Sequence, residues 1–156
     1  MKKRDHILAF YGVPASGGTG VTFTRMKYFT QLSHSKNAQE YSRKYVDEES
    51  DRIDVSAYKP QYDYGFDRVD GDPVLTDILR ITNEELIGDD AVRTLLIVDT
   101  DTNEAYQRDY AVIPGQEGDD AYVYTHSGSM KAHGPKIKGT AASADDWATA
   151  TFTAAP

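Results

Sequence analysis

The hydrophobic period of this chain changes once. Between Asp72 and Gly88, Leu75, Ile78, Leu79, Thr82 and Leu86 recur at helical spacing. Elsewhere the apolar residues are β-branched or aromatic and fall into short runs broken by Gly, Pro, Asn and Asp. That pattern allows one amphipathic helix and many strands, a mainly β member of the α+β class. Asp72 is placed to be the N-cap, Pro73 suits the first helical position, and Gly88 is placed to end the helix, so we expect it over about 73–87. One amphipathic helix needs one sheet face to pack on. We therefore expect a β-sandwich or partly closed barrel flanked by a single helix.

The strand signals differ in clarity. In QYDYGFD, Tyr62, Tyr64 and Phe66 share one parity, and Asp63, Gly65 and Asp67 the other. This predicts a strand with an aromatic face and an acidic, open face. Residues 21–32 (VTFTRMKYFTQL) read as one strand with neither face cleanly polar. Arg93 to Asp99, the turn DTDTNE and AYQRDYAVIP predict a hairpin. GQEGDD reads as a turn, two short strands follow in AYVYTHSGSMKAHGPKIKGT, and the last strand is expected from Trp147 to Thr153. Gly12 to Gly20 (GVPASGGTG) is expected to be irregular, so residues 1–20 read as a flexible arm or first strand and 21–156 as a single domain. Ser33 to Asp54 is polar and charged and reads as a long solvated loop, with Ile53-Asp54-Val55 opening a short strand.

Several function classes are disfavoured. The net charge is -8, from 25 acidic and 17 basic residues, which is the wrong sign for gripping nucleic-acid phosphates. There is no cysteine, so thiolate catalysis, disulfides and cysteine-ligated zinc are out. No apolar run has the length of a membrane span, and Ile7 to Val13 is too short for the core of a secretion signal. Asp99, Asp101 and Asn103 open like a calcium loop, but Glu104 stands where Gly is needed and Tyr110 where a bidentate Glu is needed. The pairs Asp89-Asp90, Asp119-Asp120 and Asp145-Asp146 fall at expected turns, where Asp serves the backbone. His6, His34, His126 and His133 make no ligand or nucleophile spacing and read as solvated loop residues. We expect no enzyme, no cofactor and no metal.

Tyrosine is the abundant aromatic, with 11 residues against five Phe and one Trp. Tyr combines apolar area with a hydroxyl and is enriched at protein interfaces, although strands favour it too. Tyr41 and Tyr45 have no local reason to be buried, so with Arg43 and Lys44 they are the candidate subunit contacts. A sugar-binding or adhesin-like β-sandwich is the competing reading, in which Tyr and Trp147 would stack on sugars.

The segments EYSRKYVDE, DVSAYKPQYDYGFD, GDPV, ELIGDDAV, RDYAVIP and KGTAASADDWATATF, in this order, give the chain a resemblance to a known family. From about Tyr28 to Thr153 it resembles the major tail tube proteins of long-tailed, siphovirus-like bacteriophages of Gram-positive hosts. The resemblance implies a structural virion protein, made in the host cytoplasm and resident in the tail. It implies hexameric rings whose sheets join into an inner barrel. The rings would stack around a tape-measure protein between tip and terminator proteins, and the genome would later pass through. It implies that loops and terminal arms link successive rings. A tube inside a contractile tail or tailocin is a close variant. An acidic lumen would let DNA slide, which suits the charge, and Asp63 and Asp67 are the candidates to line it.

Overall fold

A computed structural model describes residues 1–15, 20–118 and 121–156. Its elements are β1 (Ile7–Pro14), β2 (Val21–Arg25), β3 (Phe29–Ser35), β4 (Gln39–Arg43), β5 (Arg52–Ala57), β6 (Gln61–Asp67), α1 (Pro73–Asn83), β7 (Val92–Asp99), β8 (Glu104–Glu117), β9 (Thr125–Ala132), β10 (Ile137–Ala142) and β11 (Thr149–Ala154). One antiparallel sheet runs β10-β11-β2-β1-β7-β8-β9-β6-β3, and β4 and β5 form a separate pair. β10 also pairs with the start of β8, so β10, β11, β2, β1, β7 and β8 close into a ring. β9, β6 and β3 continue from β8 as an open wing. This is the mainly β α+β architecture expected, a sheet partly closed on itself with one helix against it.

The apolar runs follow from burial on both faces. In β1, Leu8 and Phe10 point into the ring, while Tyr11 and half-buried Ile7 and Ala9 face the other side. In β7, Leu96 and Val98 point inward and Leu95 and Ile97 outward. A strand covered on both faces has no polar parity, so its sequence does not alternate. The ring holds Leu8, Phe10, Leu96, Val98, Ala105 and Ala141, with Phe23, Trp147 and Phe152 packed against them. Its closure requires Gly139, which pairs with both Ala105 and Ala154. A Cβ at that position would lie 2.1 Å from the Thr153 carbonyl oxygen.

The second core lies between the outer sheet face and α1. Val74, Leu75, Ile78, Leu79 and Ile81 of the helix meet Tyr64, Phe66, Tyr110, Val112 and Met130 of the sheet. Asp77 is also buried there. It accepts from Arg93 Nε at 2.8 Å and from the Tyr11 hydroxyl, and Arg93 Nη1 reaches the Asp90 and Val92 carbonyls. This network ties the helix to β1 and β7, and removing one partner would strand a buried charge.

Several boundaries differ from the sequence reading. Gly12, Val13 and Pro14 belong to β1 and pair with β2 up to Pro14↔Val21, so the irregular segment does not begin at Gly12. Residues 16–19 of that Gly-rich run lie outside the described residues. The run from Val21 to Leu32 is two strands, broken at Tyr28, whose φ is 66°. β2 joins the ring and β3 forms the far edge of the wing. The helix stops at Asn83 rather than near 87. Glu84 caps it, Glu85 turns left-handed at φ 52°, and Gly88 opens a short 3-10 turn. Asp72 sits at the N-cap without a side-chain hydrogen bond to the first turn. β8 extends through Glu117, further than the expected turn at GQEGDD allowed.

Candidate functional site

The segment from Ser33 to Asp54 is largely exposed, but it holds strands rather than the long loop expected. After β3 ends, β4 and β5 form a hairpin in which every strand residue except Gln39 is exposed. Tyr41 opposes Asp54 and Arg43 opposes Arg52, so these side chains share one face. Glu40 opposes Val55 and Ser42 opposes Ile53 on the other. Like charges directly opposite destabilise a strand pair. Here the aromatic rings relieve the Arg43–Arg52 opposition. The Arg43 guanidinium lies 5.8 Å from the Tyr41 ring centroid and 5.5 Å from that of Tyr45, and Arg52 lies 5.3 Å from Tyr45. Arg43 also reaches Asp54 at 2.8 Å, and Arg52 clasps Glu48. Each exposed cation–π contact is worth roughly 0.5–1 kcal/mol. The structure thus brings Tyr41, Arg43 and Tyr45 together, with Lys44 exposed between them.

The hairpin carries more apolar surface than its own strands cover. Tyr41 is 54% exposed, Ile53 64% and Val55 54%. Among the described residues, β4 pairs only with β5, and β3 pairs only with β6. A lone two-stranded hairpin is marginal in water. An open edge strand offers unpaired backbone donors and acceptors to another chain. Ile53 and Val55 were not picked out as contact residues from sequence, although their alternation in RIDVSA was the available signal.

Asp63 and Asp67 lie on the face of β6 opposite the buried Tyr62, Tyr64 and Phe66. That face is rich in small polar side chains: Asp63 sits between Ser33 and Ser129, Gly65 between Gln31 and Ser127. Asp63 Oδ1 accepts from Gln61 Nε2 at 2.8 Å and from the Ser129 hydroxyl at 3.1 Å. Both aspartates are half-buried.

The groups considered for chemistry have structural employment. Asp99 and Asp101 hold Lys2 at 2.8 and 2.5 Å, and Asp101 lies 3.1 Å from His6 Nδ1, in the turn joining β7 to β8. Asp145 accepts from the Thr149 hydroxyl and amide and the Ser143 hydroxyl, which holds its carboxyl down to about 2. Asp89 and Asp90 lie in the 3-10 turn before β7, and Asp119-Asp120 lies outside the described residues. Among the described residues no three metal-binding side chains converge, and no helix is long and apolar enough to cross a membrane. Two histidines depart from the solvated-loop reading. His126 is buried on β9, stacked 5.3 Å from Phe66, with Nε2 lacking a partner. Burial lowers its pKa. His34 lies on β3 and stacks 4.4 Å from Tyr62 while remaining exposed, and partial desolvation by that packing lowers its pKa. Trp147 is partly buried and packs 6.1 Å from Phe10 at the edge of the ring core.

No protein-family model matches the chain, and no curated protein matches it in sequence. Among solved structures, it is similar to a chain in the cryo-EM structure of the anti-feeding prophage (AFP) baseplate, 6-fold symmetrised. The identity is 10% and the TM-score 0.49, over 85% of this chain and 89% of that one. A likeness that distant carries no functional argument, which rests instead on the chain's own surfaces.

Proposed function

We propose that this chain is a structural subunit of a phage tail, self-assembling into stacked rings that form a hollow tube. The observation that carries the reading is the pairing of a sheet edge, β3, open among the described residues, with a hairpin, β4–β5, whose aromatic and aliphatic side chains stand largely exposed. Both features are hazards for a permanent monomer and assets for a closed assembly. In this reading the sheet edge joins neighbours within a ring, and Tyr41, Arg43, Lys44 and Tyr45 of the hairpin contact the next subunit. The polar face with Asp63 and Asp67 lines the lumen, where carboxylates repel DNA phosphates. The tube encloses a tape-measure protein and is closed by tip and terminator proteins, as the family resemblance implies. The role is non-enzymatic. A bare tube and one inside a contractile sheath need the same subunit contacts.

Sedimentation velocity across a concentration series tests this reading. Wild-type protein is expected to shift from monomer to large species as concentration rises. The double variant Tyr41→Ser/Ile53→Ser is expected to stay monomeric with an unchanged unfolding midpoint, because neither side chain belongs to a core. Identical sedimentation of the two proteins would remove the hairpin from assembly.

A further inference from the structure

The outer face of the sheet carries an open groove of about 800 Å3, running past Ile7, Ile97 and Tyr106 to the C-terminal residues Ala154–Pro156. A smaller hollow shares those three residues and continues it to Leu32, His34 and Arg4. The groove is apolar at its floor and cationic at its rim. Lys136 Nζ sits 4.2 Å above the Tyr106 ring centroid, and Lys138 lines the same wall. Lys36 and Arg108 stand close enough for their charges to act on both His34 and Lys136. In a chain of net charge -8, this is a concentration of like charge. Among the described residues, none of Lys36, Arg108, Lys136 and Lys138 has a carboxylate within ion-pair distance, and Arg108 Nε is buried without a hydrogen-bond partner. Of the two carboxylates along the groove, Asp99 is held by Lys2, and Glu104 stands at the start of β8.

The complementary surface is on the same chain. The turn between β4 and β5 reads Val46-Asp47-Glu48-Glu49-Ser50-Asp51. Glu48 is taken by Arg52, while Asp47, Glu49 and Asp51 are exposed and have no ion pair among the described residues. Val46 stands fully in solvent. An apolar side chain followed by three free carboxylates matches an apolar floor with Lys136 and Lys138 on its wall and the charges of Lys36 and Arg108 acting on Lys136.

We propose that the acidic tip of the β4–β5 hairpin of one copy docks into the basic-rimmed groove of a second copy, with Val46 against the floor near Tyr106 and Asp47, Glu49 and Asp51 among Lys36, Arg108, Lys136 and Lys138. The proposal rests on the self-assembly reading and names the two surfaces that meet. It pairs different patches, so each copy offers one tip and one groove. Such a contact is head-to-tail and propagates as a ring or a stack. Opposite charges also select the register and disfavour tip-to-tip encounters.

The chain has no cysteine, so introduced thiols report without background. Val46→Cys protein is mixed with Ala155→Cys protein, which places a thiol in the groove, or with Asp70→Cys protein as an exposed control. Under mild oxidation, the Val46–Ala155 pair is expected to give a disulfide-linked dimer about tenfold above the control pair, and to lose that excess in roughly 1 M salt, where the Debye length is about 3 Å. Lys136→Glu/Lys138→Glu in the groove partner should abolish the link, and Asp47→Lys/Glu49→Lys in the tip partner should restore it. A Val46–Ala155 yield equal to the control overturns the proposal. If microscopy shows assembled particles while that yield equals the control, the docking fails and self-assembly stands. If neither particles nor links form, both fail.

Discussion

At the residue scale, His126 shows how depth sets pH response. Its ring is stacked on Phe66 and faces Tyr124 at 5.2 Å, Nδ1 stands 3.6 Å from Glu117, and Nε2 has no partner. Burial lowers the pKa, which outweighs the attraction of Glu117 and is aided by Arg68. The sign follows from linkage. The unfolded chain takes up the proton as pH falls below about 6.5, while the folded chain resists it, so stability declines below that pH until the lowered folded pKa is passed. His34, lowered by partial desolvation and by Lys36, Arg108 and Lys136, adds to the same slope. His126→Phe keeps the stack on Phe66 and removes the titration. It is expected to be more stable than wild type at pH 5, with a smaller difference at pH 8, by urea midpoints at each pH. An unchanged pH slope would show that His126 is not the group responsible. Asp145 acts in the same direction at lower pH: its contribution is full above 3.8 and is lost as pH falls through about 2.

At the element scale, the hairpin and the two-sided strands explain what could be read in the sequence. α1 and β6 each present one apolar and one polar face, so their periods were visible, and Tyr62, Tyr64 and Phe66 are buried as that alternation implies. β1 and β7 are covered on both sides. Their runs carry no period, and β1 lies in a stretch that reads as either a flexible arm or a first strand because its end merges into a Gly-rich run. β4 and β5 have no buried face, so hydrophobic patterning had nothing to record beyond Tyr41, Arg43 and Tyr45 at every second position. The Tyr41, Arg43 and Tyr45 cluster is therefore legible as residues and not as geometry, and the groove, built from five separate strands, is not legible at all. A hairpin stabilised mainly by exposed cation–π contacts should open readily in the monomer. Amide hydrogen exchange is expected to be fast across β4 and β5 and slow across β7 and β8 in the monomer, and to slow across the hairpin on assembly. Protection of the hairpin equal to that of β7 in the monomer would contradict this.

At the scale of the whole molecule, the charges are segregated as well as net negative. Free cations gather at the groove, free carboxylates at the hairpin tip, and Asp63 and Asp67 on the polar face of the wing. Charge reversal of that face by Asp63→Lys/Asp67→Lys is expected to leave assembly intact and to slow DNA release from particles built with the variant, measured by dye uptake of ejected DNA. Unchanged release would take the two aspartates out of the lumen. The central claim is that the subunit builds a hollow tube, and electron microscopy of the purified protein, concentrated at neutral pH and low salt, tests it most directly. The account predicts rings or tubes with an open axial channel. A population that remains monomeric at the highest attainable concentration, or that forms only solid or irregular aggregates, would contradict it.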